Sequence, residues 1–200
     1  MSAITRFDNN REMSGPERIV FFVSVGAFAA GELLQTLRLR RGADAADVRA
    51  ETLLRLLLFS AIVMFPLGRA VLPGAVIGGG VATFILGMLV GWAGALLRWW
   101  SFLTLGRYFT VVVKTSADQP VIDRGPYRVL RHPSYTGLLL VFAGVGLMVG
   151  NWFSTAAAVV LVLFAVIHRL RVEERALNAA LGDRYREFTA TRARLIPYIW

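Results

Sequence analysis

The sequence predicts an all-α integral membrane protein. About five transmembrane helices are expected, the last two a short hairpin, followed by an amphipathic cytoplasmic C-terminal helix. Three observations lead there. The 200 residues are 56% hydrophobic and only 18% charged, with a mean hydropathy of +0.57, too apolar for an ordinary soluble domain. Five apolar runs, at 19–37, 53–72, 74–97, 134–149 and 153–168, approach or exceed the length that crosses a hydrocarbon core. The basic residues alternate with those runs, so that 18 of the 22 Lys and Arg fall on one side. The positive-inside rule makes that side cytoplasmic, with the N-terminus outside and the C-terminus inside, as in a bacterial inner membrane.

The first run follows a polar, mixed-charge stretch (Arg6, Asp8, Arg11, Glu12, Glu17, Arg18) and lacks a clear cleavage site. It is long enough to stay as a span and is not a secretory signal. Near its cytoplasmic end Glu32 and Gln35 put polar groups at membrane depth. Glu32 is there for a function, or it snorkels, or it pairs with Arg38. The second run carries no motif. The third bears Gly80, Gly87, Gly91 and Gly94 on one helical face. That face includes a GxxxG pair and suits the close approach of another helix, or else a gap for a lipid tail. Arg98-Trp99-Trp100 marks the membrane interface, where tryptophans sit at headgroup depth. An amphipathic piece to about Val113 follows, then a polar loop, 114–125, broken by Pro120. At about 16 residues each, the last two runs reach roughly 24 Å, short of a full core. They predict a tight, tilted or partly re-entrant hairpin, joined by Gly150-Asn151-Trp152, that returns Arg169 to the side of His132. Residues 1–73 read as scaffold. Residues 74–200 read as the catalytic core: helices 3 to 5, the loop 98–133, the C-terminal helix 169–190 and the tail.

Polar chemistry concentrates in Arg124-Gly-Pro-Tyr-Arg-Val-Leu-Arg-His-Pro-Ser-Tyr-Thr-Gly137. Pro133 has no N–H and a preset φ, so it predicts the first turn of a helix, with His132 near the N-cap and Tyr135 about one turn in. Free N–H groups and a partial positive charge at that start suit an anion. On a helical wheel over 169–190, Leu170, Leu177, Leu181, Tyr185 and Phe188 form one stripe, which makes the segment an amphipathic helix or a continuation of the fifth span. Glu173 and Glu174 lie on that stripe, whereas Arg171 and Arg175 point away. Carboxylates on a packing face are costly unless paired or binding a ligand. Arg169, four residues before Glu173, is one pairing base. The cytoplasmic mouth of the hairpin therefore collects Arg98, Tyr127, Arg131, His132, Tyr135, Arg169, Glu173 and Glu174. A serine–histidine–aspartate arrangement and a phosphate loop are both missing from the sequence. With no cysteine and two histidines 36 positions apart, no metal site is expected. The basic residues flank membrane spans, so nucleic acid is not an expected partner.

Taken in order, Gly-Pro-Tyr-Arg-x-x-Arg-His-Pro-x-Tyr-x-Gly at 125–137, Arg-x-x-x-Glu-Glu at 169–174 and Gly-x-x-Tyr at 182–185 resemble the isoprenylcysteine carboxyl methyltransferase family. That family belongs with the phospholipid N-methyltransferases among integral-membrane methyltransferases. The similarity covers about residues 94–200, with Leu97-Arg98 and Leu105-Gly106 fitting its upstream pattern; the first two spans carry none of it. It implies S-adenosylmethionine bound at the cytosolic membrane face and a lipophilic acceptor entering from the bilayer. The cofactor contacts it implies fall on His132 and Tyr135 with their neighbours Tyr127, Arg131 and Pro133. Glu173 and Glu174 would meet the ribose or ammonium, and Arg169 stands near the reacting end. Phe188 stands where many members carry a second tyrosine, and the extra N-terminal spans of the eukaryotic enzymes have no counterpart.

The expected reaction is methyl transfer to a lipophilic carboxylate, with N- or S-methylation of a phospholipid or small molecule as the alternative. A carboxylate is already ionised at neutral pH and needs only an orienting arginine, Arg169 or Arg98. An amine would first lose a proton, to His132 or to a glutamate such as Glu173. Tyrosine faces steady a sulfonium by cation–π attraction worth about 0.5–2 kcal/mol. Two other classes compete. Sterol reductases, which use NADPH, share an RHP-x-Y element and an ending like Ile196-Pro-Tyr-Ile199, but usually read Arg-His-Pro-Asn-Tyr where this chain has Ser134. A non-enzymatic membrane protein would leave the inward glutamates as structural pairs.

Overall fold

Small residues at helix contacts set the architecture. In the computed structural model, which describes residues 13–39, 48–106, 121–197 and 199–200, six helices follow one another. They are α1 (Gly15–Leu39), α2 (Val48–Val71), α3 (Val81–Leu105), α4 (Pro133–Val149), α5 (Trp152–Leu181) and α6 (Asp183–Ala190). The side chains of 35–39 and 48 fall outside that description, as does most of the amphipathic piece and polar loop expected after Leu105. Arg49–Val71, α3 and α5 are long and apolar enough to cross a membrane, whereas the 17-residue α4 is shorter and α1 is not among them. The protein is an all-α integral membrane protein, as expected.

α2 packs on α5, α5 on α4, α4 on α3, and α1 mainly on α3. The hairpin α4–α5 thus lies at the centre. A Cβ on Gly94 would come within 2.6 Å of the Gly137 carbonyl, and one on Gly87 equally close to that of Gly144. α4 therefore fills the glycine face of α3 and leaves no gap there for a lipid tail. Gly80 is not on that face: it caps the start of α3 with φ 56°. Ala61 and Ala158 are fully buried in the core, and Ser154 Oγ donates to the Phe65 carbonyl at 3.1 Å. Phe28, Phe65, Phe142, Val162 and Val166 complete the main core.

Two boundaries differ from expectation. α3 starts at Val81, seven residues later than the apolar run, because Pro73 and the positive-φ Gly79 and Gly80 keep 73–80 as a loop. That loop hydrogen-bonds to the hairpin turn, Ile77 N to the Gly150 carbonyl and Trp152 N to that of Ala75, both at 2.8 Å. The turn itself forms as expected. Gly150 takes the left-handed conformation at φ 72°, and Asn151 Oδ1 accepts from Ser154 N at 2.9 Å. The second difference is larger. α5 runs unbroken for 30 residues, roughly 45 Å at 1.5 Å per residue, and so projects well beyond a hydrocarbon core. Gly182, at φ 54°, ends it, so the segment 169–190, expected as a separate amphipathic helix or a continuation of the fifth span, continues α5 as far as Leu181 and forms a separate α6 beyond. Its apolar stripe survives the break. Leu181, Tyr185 and Phe188 form one buried cluster with Leu177, and Arg171 and Arg175 are exposed.

Outside the spans, Tyr127 and Tyr185 are both buried. Burial pushes both phenols well above their ordinary value near 10. The charge of Glu173 adds to this at Tyr127, and Arg98 offsets part of it. Glu174 and Glu173 add at Tyr185, with Arg131 and Arg194 opposing. The folded state then holds these protons more tightly than the unfolded chain does. Their contribution to stability is complete below about pH 10 and is lost as pH rises further.

Two outcomes follow from this packing. Gly144→Leu would wedge α4 from α3 and lower stability by about 1–3 kcal/mol or more, read as a fall in thermal midpoint in detergent. In an alkaline absorbance titration, at least two of the five tyrosines would stay protonated until the fold is lost. Smooth ionisation of all five near pH 10 would contradict the burial.

Candidate active site

Local chemistry prepares one half of the site. Gly125 (φ 56°) and Pro126 open a 3-10 turn, Gly125–Arg128. The turn buries Tyr127 and leads into a short parallel pairing of Leu130 with Ala193. Arg131 N and His132 N donate to the carbonyls of Ala193 (2.8 Å) and Arg194 (3.1 Å). His132 is the N-cap of α4 and Pro133 its first residue, as the sequence predicts. α5 supplies the other half, with Arg169 one turn before the adjacent Glu173 and Glu174.

Glu174 is the meeting point. Its carboxylate lies 3.4 Å from His132 Nε2, 3.3 Å from an Arg131 guanidinium nitrogen and 3.2 Å from Arg194 Nε. A carboxylate only accepts, so the proton in the His132–Glu174 contact sits on Nε2. Glu173 accepts from the Tyr135 hydroxyl at 2.9 Å and lies 4.0 Å from His132 Nδ1. The His132 imidazole is therefore held between the two glutamates, with the Tyr135 ring beside it at 5.6 Å. Arg169 is 3% exposed, and its positive charge acts on the neighbouring Tyr135 hydroxyl. Both glutamates thus find partners across elements, from the Arg131–Tyr135 segment and from the tail.

Six of the residues singled out by sequence come together here: Arg131, His132, Tyr135, Arg169, Glu173 and Glu174. Pro133 is buried behind them. Tyr127 and Arg98 stand at the side. Arg98 makes a bidentate pair with Glu32, Nε to Oε1 at 2.5 Å and the second nitrogen to Oε2 at 2.8 Å. Its third nitrogen donates to the Ser134 carbonyl at 3.0 Å. Glu32 thus has a partner 66 residues away; a pairing with Arg38 lies outside the described side chains. Phe188 sits in the apolar cluster against Tyr185, 5.8 Å between rings, not at the carboxylates.

Sequence reasoning included the tail in the core but missed the contacts of Arg192 and Arg194. Arg192 reaches the Tyr127 carbonyl at 3.0 Å and lies over the Phe188 ring at 4.5 Å. Arg131 donates to the Arg192 carbonyl (2.8 Å) and to that of Thr189 (2.6 Å). Arg194 closes on Glu174. The only local signal was an arginine every second residue after α6, a pattern that reads equally well as a solvated end.

A buried imidazole between two carboxylates, with a phenol and arginines around it, can hold a ligand bearing hydroxyl or ammonium groups and an anionic end. The family model described as phospholipid methyltransferase matches residues 82–184, a stretch that contains all six converging residues. The chain is 32% identical over 121 residues to protein-S-isoprenylcysteine O-methyltransferase A of Arabidopsis thaliana, covering 60% of each protein. It is 29% identical over 108 residues to the Schizosaccharomyces pombe protein-S-isoprenylcysteine O-methyltransferase, covering 53% of this chain and 46% of that one. The chain thus spans about half to three-fifths of the length of these relatives. Its fold matches a solved eukaryotic intramembrane Ras methyltransferase, isoprenylcysteine carboxyl methyltransferase, with a TM-score of 0.63 at 20% identity, over 90% of this chain and 68% of the other. The match over 82–184 spans just over half of the chain, and the chain belongs to the phospholipid methyltransferase family.

Proposed function

We propose that the protein transfers a methyl group from S-adenosylmethionine to a lipophilic carboxylate at the cytoplasmic face of the membrane, within a catalytic core spanning 74–200. The observation that carries this reading is the His132 imidazole set between Glu173 and Glu174, with Arg169 and Tyr135 one turn away. The donor set fits the cofactor: carboxylates for the ribose hydroxyls or ammonium, and an imidazole, a phenol and Arg131 around them. When bound, S-adenosylmethionine supplies an electrophilic methyl group on a sulfonium.

The chain's residues have four tasks. Glu173 and Glu174 hold polar groups of the cofactor. Tyr135, kept in place by Glu173, presents an aromatic face that favours a cation. Arg169, beside Tyr135 and one turn before Glu173, orients the acceptor carboxylate, and Arg98 with its Glu32 pair stands at the edge of the site. The apolar helices exclude water, so an in-line displacement depends on positioning and needs no general base. The surplus of Arg and Lys at the site end supports the cytoplasmic assignment.

The cofactor assignment is tested by calorimetry on detergent-purified protein. His132→Ala and Glu173→Gln should each weaken S-adenosylmethionine binding by about tenfold or more, the loss of one charge-assisted contact. Unchanged affinity in both would refute the site. Arg169→Lys should retain cofactor affinity while lowering kcat by roughly a hundredfold through lost bidentate positioning. The acceptor class is read by incubating membranes with methyl-labelled cofactor. Label released as methanol by mild alkali marks a methyl ester; alkali-stable label in lipid would replace the carboxylate with an amine or thiol.

A further inference from the structure

The tail has a second face, turned away from the glutamates. The Leu195 carbonyl accepts from Thr136 Oγ1 at 2.7 Å, and Thr136 lies in the first turn of α4. The chain therefore returns from α6 to the level at which α4 begins, which is also the level of the Trp99–Trp100 interface, since Arg98 reaches Ser134. Beyond Leu195 the apolar side chains turn outward. Ile196 is 50% exposed, Ile199 79% and Trp200 40%, and Val129 beside them is 42% exposed.

Next to these lies a cleft of about 500 Å³ whose lining includes Arg128, Val129, Arg192, Arg194, Ile199 and Trp200. That volume is within the roughly 300–1,000 Å³ of small-molecule sites. Among the described residues no Asp or Glu side chain lines it. The Arg194 guanidinium lies 5.4 Å from the Trp200 ring while its Nε faces Glu174. Cations and outward aliphatic and aromatic side chains at one level are the composition of a surface that meets lipid headgroups. Facing plain water, the same apolar side chains would have nothing to offset their exposure.

We propose that this cleft docks the headgroup of an anionic phospholipid from the adjoining leaflet. Its phosphate meets Arg128, Arg192 and Arg194, and its glycerol and upper chains lie along Val129, Ile199 and Trp200. Because Arg194 spans cleft and site, a docked headgroup also holds Arg194 against Glu174. The inference does not depend on methyl transfer and is read without cofactor.

The full chain in neutral detergent is mixed with equal amounts of phosphatidylglycerol and phosphatidylcholine, and retained lipid is counted by native mass spectrometry. Phosphatidylglycerol should be retained several-fold over phosphatidylcholine. The exposed Arg128→Gln should cut that preference by about fivefold, the effect of one arginine at an anionic surface, and Ile199→Ser should lower retention of both lipids. Equal retention of the two lipids, or a preference unchanged in Arg128→Gln, would overturn the proposal. Millimolar inorganic phosphate should leave the bound lipid in place; its displacement would show a free-phosphate site and overturn the lipid assignment.

Discussion

The buried carboxylate of Glu174 is the constraint around which the membrane-exterior end of this protein is organised. An ionised carboxyl that is only 9% exposed is strongly unfavourable unless bases and donors surround it. Three residues do so, and none comes from its own helix. Arg131 and His132 arrive from the turn before α4, and Arg194 from the tail after α6. One buried charge thereby draws together segments 20 to 43 positions distant. Breaking the network by removing a base would leave that charge uncompensated, so the network is expected to be held firmly whether or not a ligand is bound.

Rigidity below the site comes from a different source. α3 and α4 approach until backbone meets backbone, because glycines face one another along the contact. Such packing relies on van der Waals contact rather than on hydrophobic transfer, which provides little drive between helices in lipid. α5 is clamped between α4 and α2 through Ala158, Ser154 and Ala61. The start of α4 and the charged turns of α5 are consequently fixed relative to one another. α1 is attached more sparsely, through the Phe28–Trp92 contact, the Trp92–Ser24 hydrogen bond and the Glu32–Arg98 pair. That last pair joins α1, α3 and the first turn of α4 at one guanidinium, so the helix without any family motif still reaches the edge of the site.

Much of this was legible from local pattern. Pro133 after His132 marks a helix start because proline lacks an N–H and has a fixed φ. Gly150-Asn151 marks the hairpin turn for the complementary reason. The inward placement of Glu173 and Glu174 followed from a 3.6-residue period shared with Leu170, Leu177 and Leu181. The start of α3 was misjudged because 74–80 is apolar enough to pass for helix while its glycines take positive φ. The break at Gly182 was hidden because the apolar stripe continues across it.

The apolar helical segments, the charge asymmetry between their ends, the polar start of α4 and the two inward carboxylates were thus legible in the sequence alone, since each depends on residues close to one another along the chain. Which bases meet which carboxylates was decided only by the tertiary structure. Arg194 on Glu174, Glu32 on Arg98 and the tail against Leu130 arise where α5 outruns the membrane and Gly182 turns the chain back. Charge pairing acts over a few ångströms of space and leaves no periodicity along the chain, so no pattern in the sequence records it.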